Sequence, residues 1–452
     1  MIATDTLKVL LICHNHPSVR PGGAEAYAYE LFEAMREQPA IEPIFLAKGG
    51  PPMGQSGNVH SGTRVSPVEG RSDEYLIYTD GLDYDWVYGG VMDTDFYTYC
   101  VRDFLAAYRP DVVHVQHTQF LGYPLVREVR NTLPNAAIFY TLHEYLPICH
   151  NIGQMVRQGS MELCTRESPR RCHECFPAIS PQTFFMRKRF IQAHLAAVDR
   201  FIAPSRFLRD RYISWGLPAD RIEFLDNGRS IDASGVASRE SGPRNRFAFF
   251  GQLNAFKGID VLLEAMRIID SESAADRRNP GSGARASTRR DRAPRLRIHG
   301  GNLDMQPADF QERVLGMIEA LPSVSYQGRY DHASLTALMS EVDWVVVPSV
   351  WWENSPMVIQ EAFLHGRPVI ASDIGAMAEK VTDGVNGLHF RAGDAASLAR
   401  VMTRAATTPG LWEQLRPRGT EVPRMDEHVR VLDELYRKVL DERQGRGAGD
   451  AH

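Results

Sequence analysis

Two doubly wound α/β domains, each a parallel sheet flanked by crossover helices, are the fold class this sequence predicts. Three observations predict it. The chain has 452 residues, more than one ordinary core accommodates, so two domains of about 150–200 residues each are expected. Short apolar runs alternate with stretches of helical periodicity along most of its length, the pattern of strands joined by crossover helices. A polar, unpatterned segment, SIDASGVASRESGPRN at residues 230–245, separates those runs into two series.

In the first series KVLLIC, EPIFLA, DVVHVQ, AAIFYTL, RFIAPS and RIEFLDNG read as strands. The helix after the first of them carries Tyr27, Leu31, Ala34 and Met35 on one buried face. The second series runs RFAFFG, LRIHGG, VSYQG, DWVVVPS, RPVIAS and GLHF. Residues 271–295 interrupt it with a stretch rich in Arg, Ser, Gly and Pro that has too little apolar surface to offset its ordering entropy, and a disordered insertion is expected there. Near the end, Val429, Leu432, Leu435, Tyr436 and Leu440 recur at helical spacing, with an apolar face to bury. The expected plan is an N-terminal domain over 1–230, a linker over 231–245, a second domain over 246–420, a helix over 421–441 and a disordered tail over 442–452.

Composition narrows the function classes. Hydrophobic content of 43% and charged content of 24% are those of a globular protein. A net charge of -5 gives no overall case for a nucleic-acid partner. No apolar run approaches the roughly 20 residues of a membrane span. The N-terminus lacks a basic n-region and a small-residue cleavage site, so a cytoplasmic location is expected.

Chemistry concentrates in VWWENSPMVIQEAF, residues 350–363. Ser355 reads as an N-cap with Pro356 as first helical residue, and Gly366 as the stop. Glu353 then lies in the loop before the helix and Glu361 between one and two turns inside it. The free amides near Ser355, Met357 and Val358 make an anion site, and the two carboxylates beside it suit hydroxyl groups. Phosphate plus polyhydroxyl is the shape of a nucleoside diphosphate sugar. A capped helix with two surface glutamates accounts equally well for these residues alone.

The longer segment ENSPMVIQEAFLHGRPVIASDIGAMAEKVTDGVNGLHF resembles the C-terminal signature of the retaining glycosyltransferases of family 4, with two glutamates separated by seven residues. The resemblance implies the GT-B fold: two Rossmann-like domains facing a cleft, with a C-terminal helix crossing back to the first domain. It implies that Glu353 contacts hydroxyls of the donor sugar and Glu361 the nucleotide ribose. The backbone of Asn354, Ser355, Pro356 and Met357 would bind diphosphate. FFGQLNAFKG, residues 249–258, resembles the family's phosphate loop; Lys257 would neutralise the diphosphate, and Gln252 stands where the family often has Arg. Gly22 and Gly23 resemble the loop that closes over the donor phosphate, and His143 the histidine lining the sugar pocket, with His117 a weaker candidate. The expected activity is retaining transfer from a UDP-, GDP- or other nucleotide sugar to a glycan, lipid-linked glycan or small-molecule acceptor. No Asp-x-Asp pattern in a suitable loop calls for a catalytic divalent metal. The rival readings are a nucleotide-sugar epimerase of the same fold and a non-catalytic nucleotide-sugar-binding scaffold.

Two further features stand apart. Cys149, Cys164, Cys172 and Cys175 crowd into one segment, and the closing Cys-x-x-Cys supplies two ligands from one turn, as structural zinc sites do. A structural zinc is expected, with His150 or His173 as a substitute for Cys149. Beyond it, TFFMRKRFIQAHLAAV places Arg187, Lys188 and Arg189 beside an apolar face. This reads as a helix packed on the sheet with a basic edge, or as a peripheral membrane contact.

Overall fold

The computed structural model describes residues 6–19, 22–49, 64–79, 83–230, 242–278, 292–419 and 422–449. The chain divides into two units, Met1–Ser230 with Pro423–His452, and Ile231–Val422. Each is an α/β unit built on a parallel sheet, as the alternation of apolar runs and helical stretches predicts.

The first unit contains β1 (Leu7–Cys13), β2 (Ile41–Gly49), β3 (Val65–Pro67), β4 (Glu74–Tyr78), a short antiparallel pair β5 (Tyr84–Asp85) and β6 (Gly90–Val91), β7 (Val112–Val115), β8 (Ala137–Thr141), β9 (Arg200–Ala203) and β10 (Ile222–Phe224). Its main sheet runs β10-β9-β8-β7-β1-β2-β4-β3. All pairings in it are parallel except β3 on β4. The strand order reverses direction around β1, so the ends of β1 and β7 flank a topological switch point. Val9, Leu11, Phe45, Val112 and Phe139 pack one face of this sheet against Tyr27, Leu31 and Phe32 of the first helix, Gly23–Arg36.

The last helix belongs to this unit. It spans Met425–Gly449 and lays Met425, Val429, Leu432, Tyr436 and Val439 into the same core. Each such side chain contributes on the order of 1.5–3 kcal/mol by leaving water. Polar bonds fix its register. The Tyr436 hydroxyl lies 2.6 Å from His114 Nδ1, and the Tyr27 hydroxyl 2.6 Å from His428 Nε2. The helix continues to Gly449, past residue 441 where sequence periodicity ended it.

The second unit contains β11 (Arg246–Gln252), β12 (Arg295–Gly301), β13 (Val324–Gly328), β14 (Trp344–Val347), β15 (Val369–Ser372) and β16 (Gly387–Phe390). They form one parallel sheet in the order β13-β12-β11-β14-β15-β16. Alternate residues serve opposite faces: Phe247, Phe249, Trp344 and Val346 enter one core, and Ala248, Phe250, Val345 and Val347 the other. A sheet covered on both faces needs continuous apolar strands, which is why these runs stand out in the sequence. The helix Ile259–Arg278 extends into the stretch read as an insertion from residue 271, and residues 279–291 of that stretch lie outside the described residues. Most of the expected linker, 231–241, also lies outside them.

Candidate functional site

In the second unit the chemistry gathers where β11 and β14 end. Beyond β11, Asn254 accepts a hydrogen bond from the Lys257 amide (2.9 Å) and closes a single 3-10 turn, Ala255–Lys257. Gly258 follows with φ +69°. A Cβ there would lie 2.0 Å from the Pro348 carbonyl oxygen, so only glycine lets this loop seat on the exit of β14. The Val350 amide donates to the Phe256 carbonyl (2.9 Å) and ties the two loops together.

That packing brings Lys257 Nζ to 2.7 Å from Glu353 Oε1. The same oxygen accepts from the Ser349 hydroxyl (2.6 Å) and from Trp351 Nε1 (2.9 Å). Glu353 is 5% exposed and held on one oxygen by three donors, while Oε2 accepts no hydrogen bond among the described residues. Lys257 has three ammonium hydrogens, of which Glu353 uses one. Trp351 also packs on Phe256, with ring centroids 6.4 Å apart.

Glu361 is 6% exposed and lies within the helix Met357–Leu364. Its backbone oxygen accepts from the His365 ring (2.7 Å), and its charge contributes, after burial, to raising the Tyr330 hydroxyl. The helix starts later than the sequence suggested. Pro356, with ψ 110°, is the N-cap instead of Ser355, Met357 is the first helical residue, and no side chain caps this end. The end at Leu364, followed by Gly366 at φ +62°, matches the sequence. Asn354 and Ser355 lie in the loop between Glu353 and that helix, and Gln252 is exposed at the end of β11.

In the first unit, polar side chains crowd the carboxyl ends of β1, β7 and β8. Gly22 is the N-cap of the first helix and Gly23 its first residue. Gly22 is extended, and a Cβ on it would lie 2.5 Å from Glu25 Oε2, because Glu25 folds back over the helix start. Glu25 Oε1 lies 3.0 Å from His14 Nε2 and accepts from Asn15 Nδ2 at 3.2 Å. Burial works against both charges, lowering the His14 imidazole and raising the Glu25 carboxyl. Their mutual attraction outweighs it, with Cys13 reinforcing His14, so His14 is raised to about 10 and Glu25 is lowered.

His143 is half-buried, and its Nε2 lies 2.9 Å from Gln116 Oε1. Burial, and then the charge of His14, lower it to about 3, so it is neutral near pH 7. His117 stacks on His14 with centroids 4.0 Å apart, and burial and His14 hold it well below the usual imidazole range. Beside them Glu144 is pushed up to about 7 by burial, against a hydrogen bond from the Leu146 amide and the charges of His14 and Arg187. Sequence reading missed His14, Glu25 and Glu144. Two signals could have found them: His14 directly follows a buried parallel strand, and Glu144 directly follows His143.

Several expectations are corrected. No group of three or more His, Cys, Asp or Glu side chains positioned to hold a metal ion occurs among the described residues. Cys149, Cys164, Cys172 and Cys175 form no disulfide, and with no such group the zinc expectation is not retained. Cys172 and Cys175 lie on the helix Pro169–Cys175, and Cys149 and Cys164 precede it. Arg187 is not on an outer edge. It is 4% exposed and donates to the Pro147 and Leu146 carbonyls. Lys188 pairs with Glu167 at 3.1 Å. Asp-x-Asp patterns do occur, but Asp85 accepts from the Val87 and Tyr88 amides and Asp93 pairs with Arg64. Among the described residues no helix is long and apolar enough to cross a membrane.

Comparison with known proteins follows the division into two units. Residues 21–233 match the family model described as Glycosyltransferase Family 4, and residues 244–408 the one described as Glycosyl transferases group 1. An uncharacterized 41.2 kDa protein in the cps region of Klebsiella pneumoniae is 35% identical over 239 residues, 50% of this chain and 58% of that protein. A phosphatidyl-myo-inositol mannosyltransferase of Mycobacterium leprae is 30% identical over 234 residues, 51% of this chain and 56% of that protein. The chain thus spans little more than half the length of these relatives. Among solved structures, Anabaena HepE in complex with UDP and glucose superposes with TM-score 0.59 at 15% identity, covering 96% of this chain and 100% of that one. Sucrose-phosphate synthase from Thermosynechococcus elongatus gives TM-score 0.64 at 18% identity, with 96% and 100% covered. At these identities the likeness is one of fold, the two-unit GT-B architecture.

Proposed function

The chain belongs to glycosyltransferase family 4, and from that premise we propose that it transfers a sugar, with retention of anomeric configuration, from a nucleoside diphosphate sugar to a hydroxyl of a glycan, lipid-linked glycan or small-molecule acceptor. The observation that carries this reading is the Lys257–Glu353 arrangement. One carboxylate oxygen is pinned by three donors while the other remains for a sugar hydroxyl, and the ammonium keeps two hydrogens for a phosphate.

Glu353 accepts from the donor sugar, and Glu361, one to two turns into its helix, accepts from the ribose. The Asn354–Met357 backbone and the uncapped start of that helix hold the diphosphate, with Gln252 donating a neutral hydrogen bond. Charge grows on the departing diphosphate as the glycosidic bond lengthens, and Lys257 stabilises it. The acceptor attacks from the leaving group's own side, and the departing phosphate oxygen takes its proton.

Relatives and neighbours suggest the donor class: the Anabaena protein is in complex with UDP and glucose, and the Mycobacterium leprae relative is named a mannosyltransferase. Incubation with UDP-glucose, GDP-mannose, ADP-glucose and dTDP-glucose, with product anomers assigned by NMR, tests the reading. Turnover of one donor with the donor's own anomeric configuration in the product is expected. Inverted product excludes the mechanism, and binding without turnover would favour a scaffold. Epimerised donor would favour the isomerase alternative.

A further inference from the structure

We propose that His117 and Glu144 in the first unit form a hydroxyl-binding pair for the acceptor, a polyol or saccharide. This deepens the transfer reading and rests on it for the word acceptor. The hydroxyl-binding pair itself stands on the geometry of the first unit alone.

The His117 ring has an assigned direction. Its Nδ1 accepts the Gln119 amide hydrogen at 3.0 Å, so in the neutral ring Nε2 carries the proton. That Nε2 faces Glu144 Oε1 at 3.6 Å, beyond a direct hydrogen bond. The other carboxylate oxygen of Glu144 is occupied by the Leu146 amide. A donor N–H and an acceptor carboxylate oxygen therefore face each other across a gap too wide to close themselves. A hydroxyl oxygen about 2.8 Å from both would accept from one and donate to the other. The pair is reachable, because the Glu144 side chain keeps 22% of its surface exposed.

The surroundings suit a sugar-like ring. Tyr84, Trp86 and Phe120 stand edge to face with centroids 5.1–5.6 Å apart. Phe120 follows His117 by three residues, Tyr84 feels the Glu144 charge, and Trp86 remains partly exposed. Tyr84 and Phe120 are buried, 5% and 6% exposed, so Trp86 is the ring of the three with surface for a ligand.

The pair also carries a pH signature. The charged groups acting on Glu144 are His14 from the end of β1 and Arg187 from the helix Pro181–Leu195, with His117 facing it and Tyr84, Tyr123, Tyr140 and Tyr212 on the remaining sides. His14 keeps its charge through neutral pH and His117 stays neutral, so Glu144 is the member that titrates near 7. An ionised carboxylate is the stronger acceptor for a hydroxyl. Polyol affinity should fall as pH drops below about 7.

Saturation-transfer NMR titrations of methyl α-mannopyranoside, methyl α-glucopyranoside and myo-inositol against the full chain test the proposal. Wild type, Glu144→Gln and His117→Phe are compared, with circular dichroism confirming the fold of each. At least one polyol should bind wild type, with the dissociation constant raised roughly 10–100-fold in Glu144→Gln, the range for loss of a hydrogen bond to a charged group. The pH dependence should vanish in the same variant, and Glu144→Asp should restore part of the affinity. No binding by any of the three polyols, or equal affinity in wild type and Glu144→Gln, overturns the proposal. Glu144-dependent polyol binding in a protein that turns over no nucleotide sugar would support this pair while sinking the transferase reading.

Discussion

The two sheets end in opposite kinds of chemistry. Where β11 and β14 finish, a lysine and a glutamate lie 2.7 Å apart, held by loops that a glycine allows to touch. Where β1, β7 and β8 finish, His14, His117 and His143 gather around Glu25 and Glu144; burial holds His117 and His143 neutral, while Cys13 and Glu25 keep His14 protonated. The contrast follows from what each end would bind. A diphosphate demands positive charge, whereas hydroxyl groups demand donors and acceptors of assigned direction. One end should be governed by charge and loop geometry, the other by pH.

The largest break in that contrast should come from Lys257→Ala. Turnover is expected to fall by about 10²–10³-fold, the size of losing one charge-stabilising group, with Lys257→Arg recovering part. Because Glu353 is left buried without its cation, the melting curve should also drop, by about 1–2 kcal/mol given the partial exposure of Lys257. Unchanged kcat in Lys257→Ala would remove the lysine from the chemistry.

Gly258→Ala tests whether backbone packing places that lysine. A Cβ at φ +69°, 2.0 Å from the Pro348 oxygen, should cost about 2–4 kcal/mol in chemical denaturation. A loss under about half a kcal/mol would mean the loop moves freely.

The pH-governed end should show in stability. Burial lowers His114 to about 3 and His428 to about 4, with other histidines adding to the shift of His114. Both lie below the unfolded imidazole value of about 6.5. Between roughly pH 6.5 and these values the unfolded chain binds more protons, so stability present above pH 6.5 is lost as pH falls, by up to about 1.4 kcal/mol per unit for each. Urea midpoints at pH 7 and pH 5 measure it. Since these rings bond Tyr436 and Tyr27, the first unit should weaken first, and a flat profile would contradict the buried neutral assignment. The smallest effect is expected for Asn254→Ala, which loses the hydrogen bond to the Lys257 amide, about 1 kcal/mol.

Much of the fold was legible because strands buried on both faces read as unbroken apolar runs, as β11, β14 and β15 do. β4 escaped notice because it opens on Glu74, a carboxylate 1% exposed and held by His16 and Arg71. That pairing reaches across 58 residues for His16, and no local pattern announces it. Glu353 and Glu361 were legible because their spacing lies within one loop and helix. The His14–Glu25 pair and the His117–Glu144 gap were not, since they exist only once separate segments lie side by side. The cysteines teach the converse: a dense local pattern suggested a metal, yet among the described residues no group of three or more ligating side chains is positioned to hold one.

The measurement that reaches the centre of this account is calorimetric titration of UDP, GDP, ADP and dTDP into wild type and Glu361→Ala. One nucleotide should bind wild type, with affinity reduced at least about tenfold in the variant as the ribose contact is lost. Binding of none, or equal binding by both proteins, would contradict the placement of the nucleotide at the glutamate helix.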